Sequence, residues 1–300
     1  MTSSKIPRKI LVAVAEGGLS NGALVFASRL AAEAGAELVL LHGLAVPTLL
    51  GLRLKDSETS ALTSERKARL SGEVDALAAR LDVKGFDTRR LTEQLRVIAG
   101  HPAKVVIEHA RAMGADLIVL GTSGKSKELD FGGVARAVLS QANCPVLIVP
   151  SEPRPVKRIL VPVDLSPASL AALAVARDWA ALFKARLLAI HCFSVPELVA
   201  YGIPEAPLAP IDFGLDDLRA AAKERFEREM REFDWAGVPW DARLYDDSPE
   251  ETILEIQAKH DLLVMSTHGH TGIAAALLGS VAYNVLRRLQ TPALACPIRD

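Results

Sequence analysis

The sequence predicts an α/β fold in two tandem doubly wound domains, each with a five-stranded parallel sheet and helices on both faces. Three observations predict it. Strand-like segments alternate with segments of helical periodicity along the chain. Apolar runs such as ILVPV at 159–163 are continuous, which is typical of parallel strands covered on both faces. The whole pattern then occurs a second time.

The repeat spans most of the chain. Three segments return in the same order: RKILVAVAEGGLS (8–20) as KRILVPVDLSPAS (157–169), ADLIVLGTSG (115–124) as HDLLVMSTHG (260–269), and GGVARAVLSQANCPVLIV (132–149) as GSVAYNVLRRLQTPALAC (279–296). The copies lie about 147 residues apart, which is the length of a domain and not of a solenoid unit. The proline-rich stretch PSEPRPVK at 150–157 suits an extended linker between them. We therefore assign residues 1–152 to the first domain and 153–300 to the second.

Each half contains the same succession of elements. The first half has predicted strands near 9–14, 37–42, 86–91, 116–120 and 145–149. The second has strands near 158–163, 186–192, 239–245, 261–266 and 292–297, and helices near 167–183, 214–234, 248–259 and 279–290. With the strand order 3-2-1-4-5 in each domain, the ligand crevice lies beyond the carboxyl ends of strands 1 and 4.

The composition argues against several classes of partner. Lys and Arg number 35 against 36 Asp and Glu, for a net charge of -1, and no basic stripe is present, so we expect no nucleic acid or membrane partner. The start MTSSKIPRKI lacks the apolar core of a signal peptide, so we expect a soluble, cytoplasmic protein. Cys144, Cys192 and Cys296 are odd in number and lack a CxxC spacing, which favours buried free thiols.

Residues at the ends of strands 1 and 4 of the second half are suited to a nucleotide. Asp164 can accept hydrogen bonds from a ribose or an adenine amino group, but DLSP is also a typical helix start that Asp164 would cap. In STHGHTGIAAALLGS at 266–280, Gly269 lets backbone approach a phosphate, and Gly279 with Ser280 opens a helix whose N–H groups bind anions. Ser280 as a simple N-cap is the alternative.

No metal site is expected in this stretch. His268 and His270 are two residues apart without an obvious carboxylate or thiol partner. A polar loop role, with His268 bonded to backbone or phosphate, is therefore favoured over metal ligation.

The spacing of this stretch resembles the nucleotide-binding signature of the universal stress protein family. That signature reads G-x-x-G, nine residues, then G-S/T, and this chain has S-T-H-G, nine residues, then G-S. The resemblance covers almost the whole chain in two copies, so it implies a tandem member with the sheet predicted above. It also implies ATP with Mg²⁺ as the ligand. The ATP-binding residues it implies are Pro162, Asp164, Cys192, Ser266, His268, Gly269, Gly279, Ser280 and Val281.

In that assignment Asp164 meets the nucleoside, Cys192 forms the adenine wall, and the glycine loop wraps the phosphates. One residue of the second copy departs from the signature, because Ser266 replaces its first glycine. A serine is tolerated there unless the position needs a positive φ.

The first copy departs further. Ala15 stands where the second copy has Asp164, the interval between Gly124 and Gly132 shrinks to seven residues, and Gly133 replaces Ser280. We therefore expect at most a weaker second site there, with the residues Gly121, Gly124, Lys125, Gly132 and Gly133.

Two functions are consistent with the sequence. The first is a stress-response protein that binds ATP mainly through its second domain as a regulatory ligand, with at most slow hydrolysis because no general base is evident beside the phosphate loop. The alternative is a module that binds no nucleotide and uses the apolar loops at 45–54 and 194–214 to hold a small ligand or a partner protein. The resemblance also implies an internal pseudo-dimer through the last strands CPVLIV and PALACP, and it allows a further homodimer.

Overall fold

The computed structural model describes residues 6–18, 20–46, 55–81, 83, 87–122, 133–150, 152–193, 215–267 and 278–297. Its strands are β1 (Lys9–Ala13), β2 (Glu37–Leu44), β3 (Leu95–Ala99), β4 (Leu117–Gly121), β5 (Val146–Val149), β6 (Arg158–Pro162), β7 (Arg186–Cys192), β8 (Trp240–Tyr245), β9 (Leu262–Ser266) and β10 (Ala293–Cys296). Its helices are α1 (Asn21–Ala34), α2 (Asp56–Ala78), α3 (Pro102–Met113), α4 (Gly133–Gln141), α5 (Pro167–Phe183), α6 (Leu215–Glu232), α7 (Pro249–Gln257) and α8 (Ser280–Arg287).

The described strands form one ten-stranded sheet with the order β3-β2-β1-β4-β5-β10-β9-β6-β7-β8. Within each half the strands are parallel and follow the predicted order 3-2-1-4-5. The two half sheets join where β5 and β10 pair antiparallel, with Leu147 opposite Leu294. The predicted α/β architecture of two doubly wound units is therefore confirmed.

Apolar residues cover both faces of this sheet. Successive residues of β1, such as Ile10 and Leu11, are fully buried in two separate clusters on opposite faces, as expected for a central parallel strand. One face packs against α1, α2, α5 and α6, and the other against α3, α4, α7 and α8. Among the described residues, no helix is long and apolar enough to cross a membrane.

The two halves also meet through aromatic side chains on one face of the sheet. The ring centroids of Phe26 in α1 and Trp179 in α5 lie 6.5 Å apart. The ring of Phe26 also contacts Phe183 edge-on, with 6.3 Å between the centroids. Arg29 donates a hydrogen bond of 2.8 Å to the Pro153 carbonyl in the connecting segment. These contacts add a packed interface to the hydrogen bonds between β5 and β10.

One predicted element of the first half is wrong. The strand predicted near 86–91 lies instead at β3 (Leu95–Ala99), and short 3-10 turns occupy 88–90 and 92–94. The position of the strand is set by its pairing with β2, in which Ala99 lies opposite Leu44, and α3 begins three residues later at Pro102. It is an edge strand, and only its first residue, Leu95, is strongly buried although four of its five residues are apolar.

A carboxylate holds the start of the first strand in each half. Asp261, which precedes β9 and is 5 % exposed, accepts hydrogen bonds from the amides of Lys157 and Arg158 at 3.0 and 2.9 Å. Asp116, which precedes β4, does the same for Arg8 and Lys9 at 3.0 and 3.1 Å, but at the surface. Both halves therefore hold the start of their first strand with the same kind of hydrogen bonds. The carboxylate is buried in the second half and exposed in the first.

We predict that Asp261→Ala lowers the free energy of unfolding by about 1–3 kcal/mol, because two amide donors lose their partner away from water. The matched change Asp116→Ala should cost less, since water can reach its donors. Chemical denaturation of both variants measures the difference. Equal losses, or a larger loss for Asp116→Ala, would contradict this interpretation.

Candidate functional site

A cavity of about 250 Å³ lies at the carboxyl edge of the second half sheet, where β6 and β9 run side by side. The chain leaves β6 toward β7 on one side and β9 lies on the other, so strand order reverses here and a crevice opens. The walls come from the ends of β6, β7 and β9, from α7 and from the start of α8. The lining residues are Pro162, Val163, Asp164, Ser169, Ile190, His191, Cys192, Pro249, Ile253, Met265, Ser266, Thr267, Gly279, Ser280, Val281 and Ala282.

Seven of the nine residues predicted to bind ATP line this one cavity: Pro162, Asp164, Cys192, Ser266, Gly279, Ser280 and Val281. They come from four separate elements of the second half. The other two, His268 and Gly269, lie outside the described residues, as does His270.

Asp164 follows β6 and does not itself cap the next helix. Its Oδ1 atom accepts hydrogen bonds from the Ser166 amide at 3.0 Å and the Ser166 hydroxyl at 2.5 Å. The N-cap of α5 is Ser166, whose Oγ accepts from the Ser169 amide at 3.2 Å. The alternative that Asp164 caps this helix is therefore wrong, because Ser166 is the cap and Asp164 only supports it through Ser166. The partly exposed side chain of Asp164 also lines the cavity.

The backbone between Asp164 and Ser166 is strained. Leu165 has a φ of 62°, in the left-handed region that a leucine rarely adopts, and its side chain is buried. The buried side chain and the two hydrogen bonds to Asp164 Oδ1 hold this turn in place.

The opposite wall is apolar apart from a thiol. Ile253 of α7 and Met265 of β9 are buried, and Cys192 ends β7 at the rim of the cavity. Burial raises the pKa of the Cys192 thiol above its ordinary value. The thiol is therefore neutral near pH 7, which suits a wall against a flat apolar group.

The start of α8 lines the cavity. Gly279 is the N-cap, and Ser280 is the first helical residue, so Ser280 does not act as the cap. The Gly279 amide donates to the Thr267 carbonyl at 2.8 Å, which ties the end of the loop to the end of β9. The first amides of the helix lack carbonyl partners within the helix and point toward its open end, where an anion is favoured.

Ser266 is compatible with its place. It is the last residue of β9, in strand conformation, with Cys296 as its partner on β10. Among the described residues other than glycine, positive φ values occur only at Leu165, Lys184 and Ala236. A serine in place of the signature's first glycine therefore introduces no backbone strain.

Two contacts distinguish the corresponding described residues of the first half. Gly43 occupies the position of Cys192, and a Cβ atom on Gly43 would lie only 2.6 Å from the Pro102 Cα atom, so the start of α3 fills the space beside β2. The loop after β1 is bound by α2, because Glu73 accepts from the amides of Gly17 and Gly18 at 3.2 Å each. Glu16 forms an ion pair with Arg66.

Of the weaker site predicted in this half, Gly121 ends β4 and Gly133 begins α4. Gly124, Lys125 and Gly132 lie outside the described residues. The first half is thus tightly packed near the carboxyl end of β2. The second half has a cavity wall at the corresponding position.

Sequence reasoning missed a histidine that lies in the site. His191 lines the cavity, and its Nδ1 atom lies 2.7 Å from the Val163 carbonyl, 28 residues earlier. His42 of the first half makes the same bond of 2.8 Å to the Val14 carbonyl, also 28 residues earlier. The signal was present, since both copies carry a histidine at the same position of strand 2.

Comparison with known proteins gives the class of this molecule. The universal stress protein family model matches the chain twice, over residues 7–150 and 155–297, so the chain belongs to the universal stress protein family and contains two copies of its domain.

Individual relatives agree with this. A universal stress protein of Mycobacterium tuberculosis is 28% identical over 217 residues, covering 69% of each chain. A shorter one from Methanocaldococcus jannaschii is 32% identical over 146 residues, 47% of this chain and 81% of that protein. The crystal structure of a universal stress protein from Archaeoglobus fulgidus has a TM-score of 0.68 at 19% identity, covering 97% of this chain and 98% of that one, and supports the fold.

The raised pKa of Cys192 predicts its reactivity. Alkylation by iodoacetamide should be slow at pH 7 and should rise with pH to a midpoint above the ordinary thiol value of about 8.5, because only the thiolate reacts. Peptide mass spectrometry across a pH series measures this rate, with the buried Cys144 and Cys296 as internal references. A midpoint at or below the ordinary value would contradict the burial assigned to this thiol.

Proposed function

We propose that this universal stress protein binds ATP, with Mg²⁺, in the cavity of its second domain, and that the nucleotide is a regulatory ligand that is hydrolysed slowly or not at all. The observation that carries the proposal is the convergence of an acid, a neutral wall and a helix N-terminus on one crevice. Each is the type of group that a different part of ATP requires.

The cavity fits the nucleoside part of the ligand. Its volume of about 250 Å³ is near the lower end of small-molecule sites, so it suits a base and a sugar better than a whole triphosphate. Asp164 on one side can accept from ribose hydroxyls, and Cys192 and Ile253 offer apolar surface to the base. The phosphates would then extend toward Gly279 and Ser280.

The charges in the cavity support a metal ion as part of the proposal. Asp164 is the one charged residue among the described residues that line it, and no lysine or arginine is present there. Phosphates must therefore rely on amide donors, hydroxyls and the dipole of α8. Mg²⁺ bound through the phosphates would supply the missing positive charge.

The residues that line the cavity also support a regulatory role. No described lining residue other than Asp164 is a carboxylate, and Asp164 is already bonded to Ser166 at the nucleoside side. A general base poised beside the phosphates is thus not evident among these residues, so we expect at most a slow ATPase. A cytoplasmic location and a homodimer accord with this role and are part of the proposal.

We predict that Asp164→Ala weakens ATP binding by about 10- to 100-fold, which is the value of a hydrogen bond to a charged group. Gly279→Val should weaken it as strongly, because a branched side chain at the N-cap would enter the cavity. Isothermal titration calorimetry with ATP and Mg²⁺ measures both.

Gly133→Val is a control in the first half, at the position that corresponds to Ser280, since a Cβ on Gly133 meets open space. It should leave the affinity unchanged. If the wild type gives no heat at millimolar ATP, the nucleotide proposal fails and the alternative of a module that binds another ligand gains support. The loop at 194–214 on which that alternative rests lies outside the described residues, as does most of the loop at 45–54.

A further inference from the structure

From the hydrogen bond between His191 and the Val163 carbonyl, we infer that His191 is a positioning residue for nucleotide binding, which sets Asp164 at the mouth of the cavity. The inference rests on the proposed function, because Asp164 matters in this way only if the cavity takes a nucleoside.

The chemistry of the bond fixes which nitrogen carries the proton. A carbonyl oxygen can only accept, so His191 Nδ1 must be the donor in the 2.7 Å contact with Val163. The bonded carbonyl belongs to the peptide unit whose nitrogen is that of Asp164. The imidazole therefore holds one end of the turn, and Ser166 holds the other end through the Asp164 carboxylate.

The turn needs such an anchor because it contains a strained residue. Leu165 adopts a positive φ directly after Asp164, a conformation that is unfavourable for leucine and persists only where surrounding contacts impose it. Without the bond to Val163, the turn has fewer contacts to oppose relaxation of Leu165, and Asp164 would move with it.

The histidine ring is itself held in place. It stacks on Phe226 of α6, with ring centroids 5.4 Å apart and an angle of 29° between the planes. Phe226 is buried in the core of that face. This stacking restricts the orientation of the His191 ring, so its Nδ1 donor stays at one position. A positioning residue requires this property.

The first half supplies an internal comparison. His42 makes the same bond to Val14, but the next residue is Ala15, which has no carboxylate to position. The next strand position, Gly43, is packed against Pro102. The bond therefore has a structural role in both halves, and only in the second half does it also control a ligand-facing side chain.

The test uses three variants of the full chain. His191→Leu removes the donor and keeps an apolar side chain against Phe226. His191→Asn keeps an N–H donor close to the position of Nδ1, so it is the rescue variant. His42→Leu is the matched control in the first half. The two readouts are ATP affinity by calorimetry and deuterium uptake of the peptide covering residues 163–169.

We expect His191→Leu to weaken ATP binding about 5- to 10-fold, the value of one hydrogen bond. It should also speed deuterium uptake at 163–169, and His191→Asn should restore both towards wild type. His42→Leu should leave ATP affinity unchanged even if it lowers the melting temperature as much. Unchanged affinity and uptake in His191→Leu, or equal losses in the Leu and Asn variants, would overturn the inference.

The two readouts separate this inference from the proposed function. If wild-type protein binds no ATP, the proposed function fails, and the role in nucleotide binding fails with it. Deuterium uptake then still decides whether His191 holds the Asp164 turn. If wild type binds ATP but the His191 variants behave like wild type, only the positioning role is lost.

Discussion

The parallel pairing of β6 with β9 is the constraint on which the candidate site depends. It brings Leu160 beside Leu263 in the buried centre of the sheet, and it forces the chain segments that follow the two strands to separate at the carboxyl edge. The crevice between them receives Asp164 from one strand end and Ser266 from the other. The start of α8 reaches the same place because Gly279 is bonded to the residue after β9. This strand order thus brings these cavity-lining groups together.

The two halves have the same sheet and helices but differ in the residues beside strand 2. Both keep a carboxylate at the start of the first strand and a histidine bond at its end. At the position of strand 2 that follows the histidine, Cys192 leaves space for a cavity, but Gly43 admits the backbone of Pro102. The features shared by the two halves stabilise the sheet, and the residues beside strand 2 differ between the halves. A repeated fold can therefore carry the β6 and β9 crevice in its second half.

Most of the fold could be predicted from the sequence, because central parallel strands such as ILVPV at 159–163 have continuous apolar patterns. The strand order 3-2-1-4-5 was assumed for a doubly wound sheet, and the strand pairings confirm it. The exception, β3, is a partly buried edge strand whose place is set by pairing with β2, which is a long-range contact. The site was predictable where spacing encodes it, as for Gly279 and Ser280. The roles of His191 and Ser166 were not, because they depend on hydrogen bonds to the backbone at the end of strand 1.

We propose that one nucleotide binds per chain, at the crevice between β6 and β9. A crystal structure grown with Mg²⁺ and a non-hydrolysable ATP analogue tests this proposal. We expect a nucleoside between Asp164 and Cys192, phosphates at the start of α8, and no nucleotide beside Gly43 in the first half. A nucleotide beside Gly43, or a second half that stays empty at millimolar analogue, would show that the proposal is wrong.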